Sequence, residues 1–118
     1  MLKSINRLKK RKEFAYLYNN GIAKHSVHIT LVSLPLKNRV LKVGFSVSKK
    51  IGKAHTRNFI KRRMRACVRE FIPNMLDNYN IVFICKNGIE DMPFENLKKE
   101  VYSLIEKSGL FKNVQKNN

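Results

Sequence analysis

Between residues 40 and 71 the spacing of apolar residues changes once, from strand-like alternation to a helical repeat. This change restricts the chain to a fold that contains both strands and helices. Residues 40–48 alternate in polarity, which predicts a strand with one buried and one polar face. The apolar positions of this strand are Leu41, Val43, Phe45 and Val47. Residues 56–71 switch to helical spacing, which predicts a long amphipathic helix. Its apolar stripe consists of Ile60, Met64, Cys67, Val68 and Phe71.

Turn and capping residues divide the rest of the chain into short elements. The further predicted helices are residues 9–20 and 93–107, and the further predicted strands are residues 28–34 and 81–85. Thr56 is a candidate N-cap of the long helix, and Pro93 fits the first position of the last helix. Gly21 and Gly109 fit the residue just past a helix end.

These elements predict one α+β domain over residues 1–118, with a small central β-sheet packed by helices. We expect strands 28–34 and 40–48 to form an antiparallel hairpin. The long helix that follows is a crossover to the next strand. The polar end of the chain, residues 112–118, is expected to fray.

Positive charge is concentrated in the first three-fifths of the chain. The total is 25 Lys+Arg against 8 Asp+Glu, a net charge of +17. Residues 1–69 hold 19 basic residues and one acidic residue, Glu13, for a net of +18, and residues 70–118 hold 6 and 7, for a net of −1. An excess of this size requires an acidic partner, with nucleic acid favoured and an anionic membrane surface second.

The long helix carries a cationic face beside its apolar stripe. Arg57, Lys61, Arg65 and Arg69 recur every four residues, and Asn58 and Arg62 fill a neighbouring row. Like charges four residues apart cost an isolated helix a few tenths of a kcal/mol per pair. No acidic residue between positions 49 and 69 offsets this repulsion, so phosphate groups are the expected counter-charge. The alternative is a solvated basic surface.

Other residues give no sign of catalysis or metal binding by the protein itself. His25, His28 and His55 lack the spacing of metal ligands, and no cofactor or small-molecule substrate is expected. Cys67 and Cys85 fit buried free thiols in a reducing cytoplasm. No apolar run reaches the length of a membrane span, and the basic N-terminus lacks the apolar stretch of a secretory signal. A cytoplasmic location and no membrane partner are therefore expected.

Residues 45–65 contain an ordered set that resembles the signature of the bacterial ribonuclease P protein family. The loop reads FSVSKKIG over residues 45–52, and the helix then supplies Arg57, Asn58, Lys61, Arg62 and Arg65. Phe59 stands where the family usually has Arg. The resemblance extends along nearly the whole chain. It implies the order α-β-β-β-α-β-α in a ribosomal-protein-like sandwich with a left-handed βαβ crossover, a handedness that general rules disfavour.

The resemblance implies two RNA-binding surfaces on the protein subunit of an RNA-based endonuclease. This ribonucleoprotein removes the 5′ leader of precursor tRNA, and catalysis belongs to its RNA subunit with Mg²⁺. The surface for ribonuclease P RNA would consist of Lys49, Lys50, Lys53, Arg57, Asn58, Lys61, Arg62, Arg65 and Arg69. A cleft for the leader would contain Phe14 and Tyr18, although core packing suits Phe14 equally well, and Val32 stands where some relatives have a third aromatic. The alternative function is a ribosomal or general structured-RNA-binding protein without an enzymatic role.

Overall fold

A four-stranded β-sheet crosses the centre of the molecule, with helices on both of its faces. The computed structural model describes this arrangement over residues 6–37 and 40–112. The α-helices are α1 (Arg11–Asn20), α2 (Ala54–Phe71) and α3 (Phe94–Lys107). The strands are β1 (Ile22–His25), β2 (Ile29–Pro35), β3 (Lys42–Val47) and β4 (Tyr79–Cys85). The α+β class and the order α-β-β-β-α-β-α are confirmed.

Strand β4 lies inside the sheet, so that the strand order is β1-β2-β4-β3. It runs antiparallel to β2 and parallel to β3, and Phe83 faces Leu31 on one side and Phe45 on the other. The predicted hairpin between the second and third strands is therefore wrong. β4 separates them because its continuous apolar run is buried on both faces. The 18 residues of α2 supply the crossover that parallel neighbours require.

The hairpin in this sheet joins β1 to β2 instead. The two strands pair antiparallel, with Ile22 opposite Ser33 and His25 opposite Thr30. All four residues of β1 are exposed, and their sequence, IAKH, shows no alternation of polarity. Hydrophobic patterning alone therefore had no signal for this strand.

The two faces of the sheet bury two separate apolar clusters. Alternate residues of β4 divide between them: Ile81 and Phe83 face α2 and α3, whereas Val82 faces α1. The larger cluster includes the predicted stripe of α2, and Ile60, Met64, Cys67 and Val68 are all buried. The smaller cluster joins Leu8 and Leu17 to β2 and β4. The predicted polar face of β3 is covered at Gly44, which lies against Phe14, whereas Lys42 and Ser46 stay half-exposed.

Several predicted helix ends shift by one or two residues. Helix α2 begins at Ala54 behind Lys53, which makes no side-chain cap, so Thr56 is not the N-cap. Pro93 likewise precedes α3 instead of occupying its first turn. Gly109 adopts the predicted left-handed conformation, with φ of 69°. The backbone N–H of Lys112 donates to the carbonyl of Asn74 at 2.8 Å, and the remaining residues of the predicted frayed end lie outside the described part of the chain.

Gly21 ends α1 with an extended backbone, not with the left-handed one that the sequence suggested. Its φ is −81°, a value open to any residue. The position is restricted by space, because an added Cβ would lie 2.6 Å from Cγ1 of Val32 and 2.7 Å from the carbonyl oxygen of Leu17. The close approach of α1 to β2 therefore explains the glycine.

Glu100, on α3, links this helix to the turn between β1 and β2 through hydrogen bonds. Its carboxylate accepts hydrogen bonds from the Ser26 hydroxyl and from the His28 backbone N–H at 2.8 Å, and it contacts Nδ1 of His28 at 2.9 Å. Burial raises the pKa of Glu100, but the hydrogen bonds from Ser26 and His28 outweigh this effect, and the net pKa is lowered. His25 also has a side-chain partner, because Nδ1 of its ring contacts the Thr30 hydroxyl at 3.0 Å.

Candidate nucleic-acid interface

A groove of about 350 Å³ lies between the N-terminal segment, α1, β3 and α2. Its lining residues are Arg7, Leu8, Lys9, Phe14, Val43, Gly44, Phe45, Lys61 and Arg65. The N-terminal segment is fixed beside β3 because the Leu8 backbone N–H donates to the Val43 carbonyl at 2.9 Å. The Asn6 side chain also donates to the Leu41 carbonyl at 2.9 Å. These bonds cover the outer edge of β3 and bring Arg7 to the groove.

The ring of Phe14 rests directly on Gly44. A Cβ added to Gly44 would lie 2.6 Å from two ring carbons of Phe14, which is closer than real Cβ atoms approach. Phe14 is half-buried, packs beside the smaller apolar cluster and also lines the groove. Phe14 therefore combines packing beside the apolar cluster with a position in the groove wall.

Two arginines, Arg7 and Arg65, line the groove, and none of the residues that line it is acidic. Nε of Arg7 is buried and has no hydrogen-bond partner. Burial lowers the pKa of Arg65, and the charge of Arg7 lowers it further. Glu13, the one carboxylate of residues 1–69, is engaged elsewhere, at 3.5 Å from Nζ of Lys42. An anion in the groove would offset both the burial and the mutual repulsion of these two arginines.

The predicted basic residues divide between the groove and the open surface of α2. Lys61 and Arg65 line the groove, and Arg65 lies with its guanidinium carbon 6.0 Å from the ring centroid of Phe45. Three residues of α2 point to the exposed surface: Asn58, Arg62 and Arg69. Helical geometry accounts for this division, since adjacent residues are rotated by about 100° around the helix axis.

The loop before α2 adds exposed lysines to the same end of the helix. Lys49, Lys50 and Lys53 are all exposed. Arg57 behaves differently, because its guanidinium donates to the Gly52 carbonyl at 2.8 Å and ties the loop to the first turns of α2. Arg57 therefore has a structural contact in addition to the RNA contact implied by the resemblance.

The predicted cleft aromatics lie next to each other on α1. The ring centroids of Phe14 and Tyr18 are 6.4 Å apart, and Tyr18 lies one turn beyond the groove with 45% of its surface exposed. Val32 is buried beneath α1 and does not line the groove. Phe45 supplies a ring there instead, and sequence reasoning missed it because it was assigned wholly to the core.

Burial makes the two cysteines poor nucleophiles. Both cysteines are free and buried, and burial raises the pKa of Cys67 to about 11 and that of Cys85 to about 12. Within residues 6–37 and 40–112, no group of three or more His, Cys, Asp or Glu side chains is placed to hold a metal ion. In the same part of the chain, no helix is long and apolar enough to cross a membrane.

Comparison with known proteins gives the same family along nearly the whole chain. A family model described as Ribonuclease P matches residues 2–109. The ribonuclease P protein component of Caldanaerobacter subterraneus subsp. tengcongensis is 33% identical over 111 residues, which cover 94% of this chain and 96% of that protein. The same component of Symbiobacterium thermophilum is 37% identical over 113 residues, covering 92% and 96%.

A solved structure with the same arrangement carries the same name. The Staphylococcus aureus RNase P protein, at 2.0 Å, matches with a TM-score of 0.84 and 25% identity, over 91% of this chain and 98% of that chain. Fold, family model and relatives therefore agree, and they decide against a ribosomal or general RNA-binding protein. This chain belongs to the ribonuclease P protein family, the RNA-binding protein component of a tRNA-processing ribonuclease whose known function is maturation of the 5′ end of tRNA.

Proposed function

We propose that this chain binds ribonuclease P RNA through α2 and its preceding loop, and the 5′ leader of precursor tRNA through the groove. The observation that carries the proposal is the groove itself. It combines aromatic rings with arginine and lysine side chains, none of its lining residues is acidic, and it opens next to the exposed basic surface of α2. A single-stranded nucleic acid needs both features, because its phosphates seek positive charge and its bases seek flat apolar faces.

In the groove, Arg7 and Arg65 are the groups that meet leader phosphates. The buried, unpartnered Nε of Arg7 and the lowered pKa of Arg65 both indicate a position that favours an incoming anion. Lys61 adds a third charge to the same wall. Phe14 and Tyr18 stack with bases, and stacking does not require a particular leader sequence.

On the open surface, the remaining basic residues bind the folded RNA subunit. Lys49, Lys50 and Lys53 extend this surface into the loop, and Asn58, Arg62 and Arg69 continue it along α2. Arginine suits phosphate because it donates two parallel hydrogen bonds. Each phosphate neutralised also releases counterions, which makes affinity fall steeply with salt.

In this proposal the RNA subunit breaks the phosphodiester bond with Mg²⁺, and the protein binds and orients the substrate. Mg²⁺ prefers carboxylate and water oxygens, and the described carboxylates form no cluster that fits it. No step is therefore assigned to a metal held by this chain. The complex would act in the cytoplasm, where precursor tRNA is made in bacteria.

Reconstitution with a bacterial ribonuclease P RNA tests the proposal directly. At low Mg²⁺, we expect the protein to accelerate cleavage of precursor tRNA over RNA alone, and we expect the protein alone to cleave nothing. No acceleration would contradict the proposal. Cleavage by the protein alone would contradict the assignment of catalysis to RNA.

Two substitutions separate the two surfaces. Arg62→Ala should weaken binding to ribonuclease P RNA and reduce its salt slope by about one unit, and Lys99→Ala, an exposed lysine on α3, serves as the charge-matched control. Tyr18→Ala should weaken the binding of precursor tRNA to the holoenzyme more than the binding of mature tRNA. Equal losses for both tRNAs would contradict the assignment of Tyr18 to the leader.

A further inference from the structure

Phe59 is an exposed aromatic residue in the middle of the basic helix. Its side chain on α2 keeps 42% of its surface exposed. The guanidinium carbon of Arg63 lies 5.3 Å from the centroid of its ring and 5.8 Å from the centroid of the Phe94 ring. Arg63 is therefore held between one exposed ring and one half-buried ring.

The ring of Phe59 plays no part in closing the apolar core. The stripe of α2 is buried without it, and Phe59 packs on Arg63 at the surface. Residues three and four positions away share its side of the helix, so its neighbours are His55, Arg62 and Arg63. Exposing so much of an aromatic ring on a helix forgoes apolar burial, which an incoming flat ligand would recover.

The charges around Phe59 indicate the chemistry of that ligand. Residues 54–69 of α2 contain no carboxylate. Glu70, near the end of the helix, is paired with Lys98 at 2.8 Å, and Glu95 lies beside Phe94 on α3. A flat group attached to negative charge, such as a nucleobase with its phosphate, fits this position. A second copy of this chain would bring the same positive charge and be repelled.

We propose that Phe59, backed by Arg63, is a stacking platform for an unpaired base of the RNA bound to α2. This inference rests on the proposed function and extends the RNA-binding surface around the helix, to the flank opposite the groove. Arg63 keeps the ring oriented through its cation–π contact, and Arg62 is placed to bind the adjoining phosphate.

A stacking contact differs from a phosphate contact in its salt dependence. Phe59→Leu removes the flat face and keeps an apolar helix-forming side chain, whereas Phe59→Trp keeps the face. For Phe59→Leu we expect affinity for a bacterial ribonuclease P RNA to fall roughly 5- to 100-fold with an unchanged salt slope. Phe59→Trp should bind like the original chain. Because the position is exposed, all variants should keep their urea unfolding midpoint.

The Phe59→Trp variant also provides a direct reporter, since the chain itself contains no tryptophan. Its indole fluorescence should be quenched when the RNA is added. The matched control is Tyr102→Trp, at a position that is 45% exposed on α3 in the neighbourhood of Glu106. The fluorescence of this control variant should show little change.

Failure of this inference can be told apart from failure of the proposed function. If Arg62→Ala weakens RNA binding and Phe59→Leu does not, the stacking platform is wrong and the proposed function stands. If neither substitution weakens binding, both are wrong. If the fluorescence of the Phe59→Trp variant follows protein concentration and ignores RNA, the ring belongs to a contact between copies, which also overturns the inference.

Discussion

Substitution of Gly44 by alanine tests how the floor of the groove is built. The new Cβ would lie 2.6 Å from two ring carbons of Phe14 and 3.2 Å from Cβ of Leu8. Ordinary contact begins at 3.4 Å, so the ring must retreat by about 0.8 Å, from 2.6 to 3.4 Å. Phe14 cannot retreat freely, because it packs between β3 and the smaller apolar cluster.

The expected loss of stability follows from two opposed effects. Overpacking a tight apolar site costs about 1–3 kcal/mol. Gly44 does not have positive φ, so alanine is conformationally allowed there and regains about 0.4–1 kcal/mol through the unfolded state. We expect a net loss of about 1–2 kcal/mol in the free energy of unfolding, or roughly 4–8 °C in Tm. Urea unfolding followed by circular dichroism measures it.

A double-mutant cycle identifies the Phe14 ring as the cause. Phe14→Leu in the Gly44→Ala chain should make the combined loss smaller than the sum of the single losses by at least about 0.5 kcal/mol. Gly52→Ala is the matched control, because the three atoms nearest to its Cβ would all belong to the Thr56 side chain, the closest at 3.1 Å. We expect it to change stability by less than about 0.5 kcal/mol.

Gly44→Ala should weaken binding of the leader more than binding of the RNA subunit. A displaced Phe14 ring alters the groove but leaves the open surface of α2 in place. Precursor tRNA should therefore bind the holoenzyme more weakly, while affinity of the protein for ribonuclease P RNA stays unchanged. A Gly44→Ala protein as stable as the original, or additive losses in the cycle, would refute the packing of Phe14 on Gly44.

Three further predictions concern the Glu100 contacts, the thiols and the groove charges. Glu100→Ala should cost about 1–3 kcal/mol at pH 7, because the carboxylate accepts several hydrogen bonds. Since the pKa of Glu100 is lowered in the folded protein, this stabilisation is present above the ordinary carboxyl pKa. The difference in unfolding free energy between the two proteins should therefore shrink as pH falls below about 4. A difference that does not depend on pH would contradict this prediction. Cys67 and Cys85 should react with iodoacetamide at pH 8 only as fast as the protein unfolds, and fast alkylation of the native protein would show that they are not buried. Sulfate should raise Tm more than chloride at equal ionic strength, and Arg65→Met should reduce that difference if the groove binds the anion.

The long amphipathic helix could be predicted from the sequence, whereas the pairing of the strands could not. The stripe of α2 was correct at every buried position because helical spacing over 16 residues leaves few alternatives. The place of β4 between β2 and β3 depends on contacts between residues far apart in the chain, such as Val43 with Ile81. Local pattern favoured a hairpin of sequential strands, which is the commoner arrangement.

The basic side of the site was predicted more completely than its groove. The row on α2 has a helical period that the sequence displays directly. Arg7 and Phe45 reach the groove for reasons that no local pattern carries. Arg7 is placed by backbone pairing of the N-terminal segment with β3, and Phe45 lines the groove although its ring also stacks on Phe83 in the core, with centroids 5.8 Å apart.

Helix α2 links these surfaces rigidly, because its buried stripe fixes its rotation against the sheet. Lys61 and Arg65 face the groove, Arg62 faces the open surface, and Phe59 lies on the far flank. Successive turns repeat each direction, so in the proposed complex one packed helix would set the angle between a leader in the groove and an RNA on its outer side. A substitution in the stripe, such as Met64→Ala, should therefore disturb both RNA contacts together, whereas substitutions at the surface separate them.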